Sequence, residues 1–155
     1  MNDLEVEPRT ILKTAAVLVL NVEMEALTIW SNTYGGVTLP GGKVEPEDPS
    51  VPHAAVRELD EEACLVAQLG DLRLLHKERV KFRLRGGVLA PEREVHLFYA
   101  RRVAGRARST AADRPLDWAG YTKLIAKAPA FYADFYQRAL PPSTGFTWLE
   151  PTEGA

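Results

Sequence analysis

The chain has little of what would staple it, anchor it in a membrane or wrap it around a nucleic acid. Its 155 residues hold one cysteine, Cys64, so no internal disulfide can form and stability must come from a packed core. A lone thiol also fits a reducing compartment. Long hydrophobic runs are missing: the longest, AAVLVL at residues 15–20, is far short of the roughly 20 residues a membrane span needs. The opening MNDLEVEPRT is acidic and lacks both the basic start and the apolar stretch of a secretory signal. A cytoplasmic protein is the expectation. There is no internal repeat and no low-complexity tract. Nor does one charge sign dominate. Nineteen basic residues stand against twenty-one acidic ones, for a net charge of −2, which argues against a dedicated DNA-binding domain.

What is present is ordinary globular material, 46% hydrophobic and 26% charged. The length fits one domain over residues 1–155, and such a domain buries roughly 70% of its unfolded surface. Residues 1–10 read as a tail or an edge strand, and residues 141–155 as a C-terminal extension. The even charge balance hides a split: residues 40–65 carry a net −5 and residues 71–110 a net +7. An acidic block beside a basic one points to a metal site next to an anion site, although uneven solvated surface gives the same totals.

Periodicity places the elements. Residues 14–22, rich in Val and Leu, read as a buried strand, and residues 26–30 as a second one after a turn. Leu39-Pro40-Gly41-Gly42 is a backbone device, since Gly tolerates positive φ and close approach. Pro46 and Pro49 keep the next stretch non-helical. Ser50 then offers an N-cap, with Pro52 tolerated in the first turn. A helix to about residue 63 follows, with Val56, Leu59 and Ala63 as its apolar stripe. Residues 72–85 alternate: Val80, Phe82 and Leu84 are apolar, and Lys81, Arg83 and Arg85 form a basic outer face. Residues 94–103 read as another strand and 104–117 as a polar loop. Helices at 121–127 and 130–140 complete an α+β order with a mixed sheet.

The chemistry concentrates in Arg57-Glu58-Leu59-Asp60-Glu61-Glu62. On a helix Glu58, Glu61 and Glu62 stand at i, i+3 and i+4 and share one face. Like charges so placed repel, and a divalent cation is a natural offset, because carboxylate oxygens suit Mg²⁺ or Mn²⁺. Arg57 can reach Glu61 one turn on and orient it. A solvated acidic helix face is the plain alternative.

Together with Leu39-Pro40-Gly41-Gly42-Lys43-Val44-Glu45-Pro46-Glu47 and the Ala54–Ala63 segment, this run resembles the signature of the Nudix hydrolases: a Gly, five residues, a Glu, seven residues, then Arg-Glu-apolar-any-Glu-Glu-any-Gly-apolar. Two departures stand out. Gly42 to Arg57 spans fifteen positions where the family pattern needs fourteen, so the family's early glutamate is either Glu47 or Asp48. The closing Gly is Cys64, which either accepts the left-handed backbone of that position at a cost of about 1 kcal/mol or ends the helix differently.

The resemblance implies an α/β/α sandwich, the Nudix fold, around a central mixed β-sheet. It implies Mg²⁺- or Mn²⁺-assisted attack of water on a nucleoside diphosphate linked to another group. Glu58, Glu61 and Glu62 become the metal ligands, with a carbonyl of Gly41 or Gly42 as a further oxygen. Glu47 or Asp48 supports the loop or Arg57. The general base is Glu58 or Glu61 of the box, or an acid from a later loop, with Asp113 ahead of Asp117. Glu92 and Glu94 are weaker choices.

For the substrate, Lys43, Lys81 and Arg83 are candidate phosphate guides, and Trp30 and Tyr34 candidate lining for a base. A nucleoside triphosphate or related nucleotide suits the short chain. Dinucleoside or diphosphoinositol polyphosphates are alternatives, as is a catalytically weak nucleotide-binding module, which the loop insertion and Cys64 motivate. By analogy with relatives, a homodimer through the aromatic C-terminal helix is a further expectation.

Overall fold

The computed structural model describes residues 11–141 and 145–155; the expected tail or edge strand at 1–10 lies outside the described residues. The elements run β1 Leu12–Leu18, β2 Ala26–Ser31, β3 Gly36–Thr38, β4 Gly41–Lys43, α1 Val51–Ala63, β5 Leu72–Val80, β6 Arg93–Ala100, β7 Leu116–Ala119, α2 Tyr121–Lys127 and α3 Ala130–Ala139. They form a mixed four-stranded sheet in the order β4-β1-β6-β5 and a three-stranded sheet in the order β3-β2-β7. In the larger sheet β1 runs parallel to β6, while β4 and β5 pair antiparallel.

Alternation along β1 builds two cores, because successive side chains point to opposite faces. Ala15, Val17 and Val19 pack with Ala54, Ala55, Leu59 and Ala63 of α1. Ala16, Leu18 and Leu20 face the other way, onto Leu124 of α2 and Tyr132, Phe135 and Tyr136 of α3. Helices therefore cover both faces of the mixed sheet, the expected sandwich.

Several boundaries differ from the sequence reading, each for a local reason. The first strand ends at Leu18. Beyond it Leu20 makes only an isolated bridge to Ala26, and the Asn21 side chain accepts the Glu25 N–H to close the turn at 2.9 Å. The ladder of β5 stops at Val80, opposite Arg93. Phe82 is still buried and Lys81 and Arg83 still exposed, so the alternation is real, but residues 81–90 fold back as a loop around Gly86 and Gly87, both with positive φ. The short strands β3, β4 and β7 have three or four residues each, too few to show a period. The C-terminal extension joins the core: Thr152 donates its backbone N–H to Leu20 and accepts the Leu20 N–H on its hydroxyl, and Phe146 and Leu149 are buried.

Candidate functional site

Helix α1 is defined at both ends by its sequence. Ser50 caps it, its hydroxyl accepting the His53 N–H, with proline in the first turn. The buried stripe is Ala55, Leu59 and Ala63 with Ala54 beside it, not Val56, which is only partly covered. At the far end Cys64 takes the left-handed conformation (φ 58°, ψ 28°), and its N–H bonds to the Asp60 carbonyl. The cysteine thus keeps the backbone that Gly would supply.

Arg57 organises the polar face. Its Nε and Nη2 each donate to the carboxylate of Asp48 at 2.9 Å, and Nη2 also donates to the Lys43 carbonyl at 3.0 Å. Its Nη1 donates to Glu58 and Glu61, both at 3.1 Å, and lies 3.4 Å from Glu45. A fork-to-fork pair of this kind is geometrically specific. Asp48 retains 7% side-chain exposure, and the hydrogen bond from Arg57 holds its carboxyl below the ordinary carboxylate range. The same bond makes Arg57 a firmer cation. Of the two acids offered by the lengthened loop, Asp48 is the partner; Glu47 is exposed. The inserted residue moves the supporting role along the loop and leaves Arg57 anchored.

The two glycines are explained by close approach. Neither has positive φ. A Cβ on Gly41 would fall 2.1 Å from the Ala15 carbonyl oxygen, and one on Gly42 would fall 2.5 Å from the Glu58 carboxylate. The edge strand β4 is therefore bare where α1 lays its acids against it. Glu62 accepts the Gly41 N–H at 2.7 Å. Burial pushes its carboxyl up to about 7, with Glu58 and Glu61 adding to the rise and Gly41 and Arg114 opposing it. Burial likewise raises Glu58, against the pull of Arg57. Among the described residues no group of three ligand-type side chains stands ready as an ion cage, since Arg57 Nη1 engages Glu58 and Glu61 while Glu62 is on Gly41. The donor set nonetheless fits a hard cation: three carboxylates on one helix face, two with raised proton affinity, are short of positive charge.

Other expected site residues lie elsewhere or are otherwise engaged. Asp113 receives Asn32 Nδ2 on its carbonyl at 3.3 Å and on its carboxylate at 3.5 Å, and it is not among the main groups acting on Glu58 or Glu62. The loop does reach α1, but through Thr110, whose hydroxyl donates to the Glu61 carbonyl. Trp30 donates its indole N–H to Asn32. Asp117 is paired with Lys123 at 3.0 Å. Glu94 pairs with His96 at 2.7 Å. Lys81 and Arg83 sit exposed in the loop after β5. The aromatic face of α3 is spent inside the molecule: Tyr132, Phe135 and Tyr136 are buried, so this face does not offer the expected dimer surface. Tyr136 has a role the sequence did not reveal, its hydroxyl accepting the Leu39 N–H at 3.0 Å and fixing the approach to the glycines.

On the other side of β4 a cavity of about 110 Å³ opens, lined by Thr14, Tyr34, Gly41, Gly42, Lys43, Arg93 and Tyr132 among others. Lys43 and Tyr34 were expected near substrate. Arg93 was not; it comes there through its place opposite Val80 in the β5–β6 pairing. A larger cavity of about 390 Å³ lies between Arg73, Arg101, Trp148 and Glu150 and includes none of the α1 acids.

Residues 10–139 match the family model described as NUDIX domain. Among solved structures, the fold is similar to a MutT protein from Bacillus halodurans, with a TM-score of 0.65 and 17% identity over 83% of this chain and 80% of that one. It is similar to MutT from Methanosarcina mazei Go1, with a TM-score of 0.61 and 22% identity over 83% and 92%. It is also similar to the NUDIX domain of Shewanella oneidensis NrtR, solved in complex with ADP ribose, with a TM-score of 0.65 and 16% identity over 85% and 87%. At these identities the likeness is one of fold. No curated protein sequence matches the chain. No helix among the described residues is long and apolar enough to cross a membrane.

Proposed function

Since this chain belongs to the Nudix hydrolases, enzymes acting on a nucleoside diphosphate linked to another moiety, we propose that it is a Mg²⁺- or Mn²⁺-dependent pyrophosphohydrolase of nucleotides, with a nucleoside triphosphate as the simplest substrate. The observation that carries this reading is the packing of Glu58 and Glu62 against the bare Gly41–Gly42 backbone, with Glu61 beside them on Arg57 and Arg57 locked by Asp48.

Glu58, Glu61 and Glu62 would hold the cation, with a glycine carbonyl as a further oxygen. When bound, such an ion neutralises diphosphate charge and activates water. Around it the chain's own groups divide the work. Asp48 and the Lys43 carbonyl fix the guanidinium of Arg57, and Arg57 aims the carboxylates of Glu58 and Glu61. The Gly41 N–H orients Glu62. A box glutamate, Glu58 or Glu61, takes the proton of the attacking water. Asp113, held by Asn32, is left out of this role.

The weak-binder alternative rests on Cys64 and the inserted loop residue. The left-handed helix end at Cys64 and the Asp48–Arg57 fork favour the active reading over it. Purified protein with Mg²⁺ or Mn²⁺ should release phosphate or pyrophosphate from members of a nucleoside triphosphate, dinucleoside polyphosphate and ADP-ribose panel. No turnover on any of them, with metal bound, would overturn the proposal.

A further inference from the structure

The cavity of about 390 Å³ beside β5, β6 and the C-terminal segment stands apart from the acids. Tyr99 at its base belongs to the α3 side of the core, and Arg73 to β5, the sheet edge opposite β4. The α1 acids lie on the other face, against β4. Hydrogen bonds within the chain hold the walls in shape. Tyr99 donates its hydroxyl to the Glu150 carbonyl, and Trp148 its indole N–H to the Gly145 carbonyl at 3.0 Å. The Glu153 N–H bonds to the Arg101 carbonyl at 2.9 Å, and the Arg101 N–H to the Asp71 carbonyl at 2.8 Å. The volume falls in the range of about 300–1,000 Å³ usual for small-molecule sites. The lining side chains divide by what engages them. Arg102 is paired with Glu153 at 3.1 Å, and the Asp71 carboxylate takes the Gln68 N–H at 3.4 Å. Among the described residues no hydrogen bond or ion pair engages the guanidinium of Arg73 or of Arg101. The two sit close together: Arg73 lies opposite Tyr99 in the ladder, and Arg101 follows Tyr99 by two residues. Like charges so placed repel. Burial raises the Tyr99 phenol, the Glu150 charge adds to the rise, and Arg101 and Arg73 oppose it, so all three charged groups act at the base of the cavity. Glu150 is exposed and adds one acceptor. Trp148 is 38% exposed, and with its N–H already used it has apolar ring surface left to offer.

We infer that this cavity is a second, non-catalytic site that binds a mononucleotide, with the phosphate on Arg73 and Arg101, the base against Trp148 and a sugar hydroxyl or ring amino group on Glu150. Guanidinium forks match phosphate oxygens in geometry and in charge. A phosphate ester near neutral pH carries about −1.5 to −2, which answers two unpaired cations. Aromatic ring surface takes a base by stacking, whatever the base. Inorganic phosphate satisfies only the arginines, and an uncharged nucleoside only Trp148 and Glu150. A mononucleotide carries acceptor oxygens, donor groups and a flat ring in one molecule. The inference does not depend on the hydrolase reading, because none of the lining residues belongs to the acidic face.

The test titrates the full chain by calorimetry without divalent metal, so that the α1 acids lack the ion through which they would engage phosphate. The probes are adenosine and guanosine monophosphates, with inorganic phosphate and adenosine as partial ligands. Both monophosphates are expected to bind at one site per chain, about tenfold or more tightly than either partial ligand. The double variant Arg73→Gln with Arg101→Gln, and separately Trp148→Leu, are each expected to weaken adenosine monophosphate about tenfold or more. Their melting temperatures should stay near that of the wild type, because the changed side chains are exposed. Trp148→Phe keeps a ring and loses the N–H, and it should retain most of the affinity. Glu61→Gln should leave binding unchanged. Absence of monophosphate binding would overturn the inference. So would inorganic phosphate binding as tightly as the nucleotide, which would leave an anion site only. So would loss of binding in Glu61→Gln with retention in the double arginine variant, which would put the nucleotide at the acids. The titrations read binding without turnover, so this inference and the hydrolase reading fail separately.

Discussion

The two sides of the short strand Gly41–Lys43 set opposite electrostatic problems. On the α1 side one arginine faces many acids, and its donors are spent on Asp48, Glu58, Glu61 and a carbonyl. On the other side Arg93 faces phenols and a phenyl ring, with its Nε left over. The saturated side behaves as scaffold: its geometry is over-determined and should hold with or without ligand. The unsaturated side carries a cost, because a buried polar group without a partner is unfavourable. Close packing at Gly41 and Gly42 leaves only a bare backbone between the two sides.

The comparison breaks most sharply at the acids themselves. Glu58→Gln and Glu61→Gln are each expected to lower kcat about 10²- to 10⁴-fold, while Asp113→Asn stays within a few-fold of the wild type. Steady-state kinetics at saturating Mg²⁺ decide it. If Asp113→Asn fell as far as the glutamate variants, the base would belong to the loop and not to the helix.

Next in size is the fork. Asp48→Asn is expected to destabilise by about 1–3 kcal/mol at neutral pH, since Arg57 loses the least exposed of its charged partners and the only one it holds by a fork. The effect has a defined pH course. The carboxyl of Asp48 lies lower in the folded chain than its usual 3.8, so its stabilisation is complete above that value and is lost as pH falls through the lowered folded one. Chemical denaturation at pH 7 should separate the two proteins, and their difference should shrink as the pH falls below about 4. A constant difference down to pH 2 would mean that packing, not charge, holds the loop.

How much of this was legible follows from the range of each signal. The helix α1, its Ser50 cap and the acid face were readable because cap, period and charge all lie within a few residues of one another. The two later helices were readable from their apolar spacing alone, since neither has a side-chain cap. Glu47 and Asp48 could not be separated, because the choice depends on how the loop folds back onto Arg57, nine residues away. Arg93 and Thr14 come together only through the parallel pairing of β1 with β6, in which Leu12 lies opposite Arg93 and Thr14 opposite Val95. Nothing local in either segment marks that meeting. Lys81 and Arg83 show the converse limit: strict alternation survived in burial, while Gly86 and Gly87 turned the end of the strand into a loop.

The smallest effect sharpens the comparison most cleanly, because it pairs two substitutions of similar sign. Cys64 holds φ at 58° without being Gly, at a cost of about 1–2 kcal/mol for the left-handed backbone. Cys64→Gly removes that cost and adds about 0.4–1 kcal/mol of unfolded-chain entropy. A net gain of about 0.5–1 kcal/mol is expected by denaturant titration, roughly the difference of those two terms. Its substrate selectivity should be that of the wild type, because the helix end belongs to the saturated side. Thr14→Val also relieves a local cost, on the side that is short of a partner, by deleting a buried hydroxyl without one, and its melting temperature is expected to stay unchanged or rise. A clear loss of stability there would mean that the hydroxyl is satisfied internally, and the two sides would no longer differ.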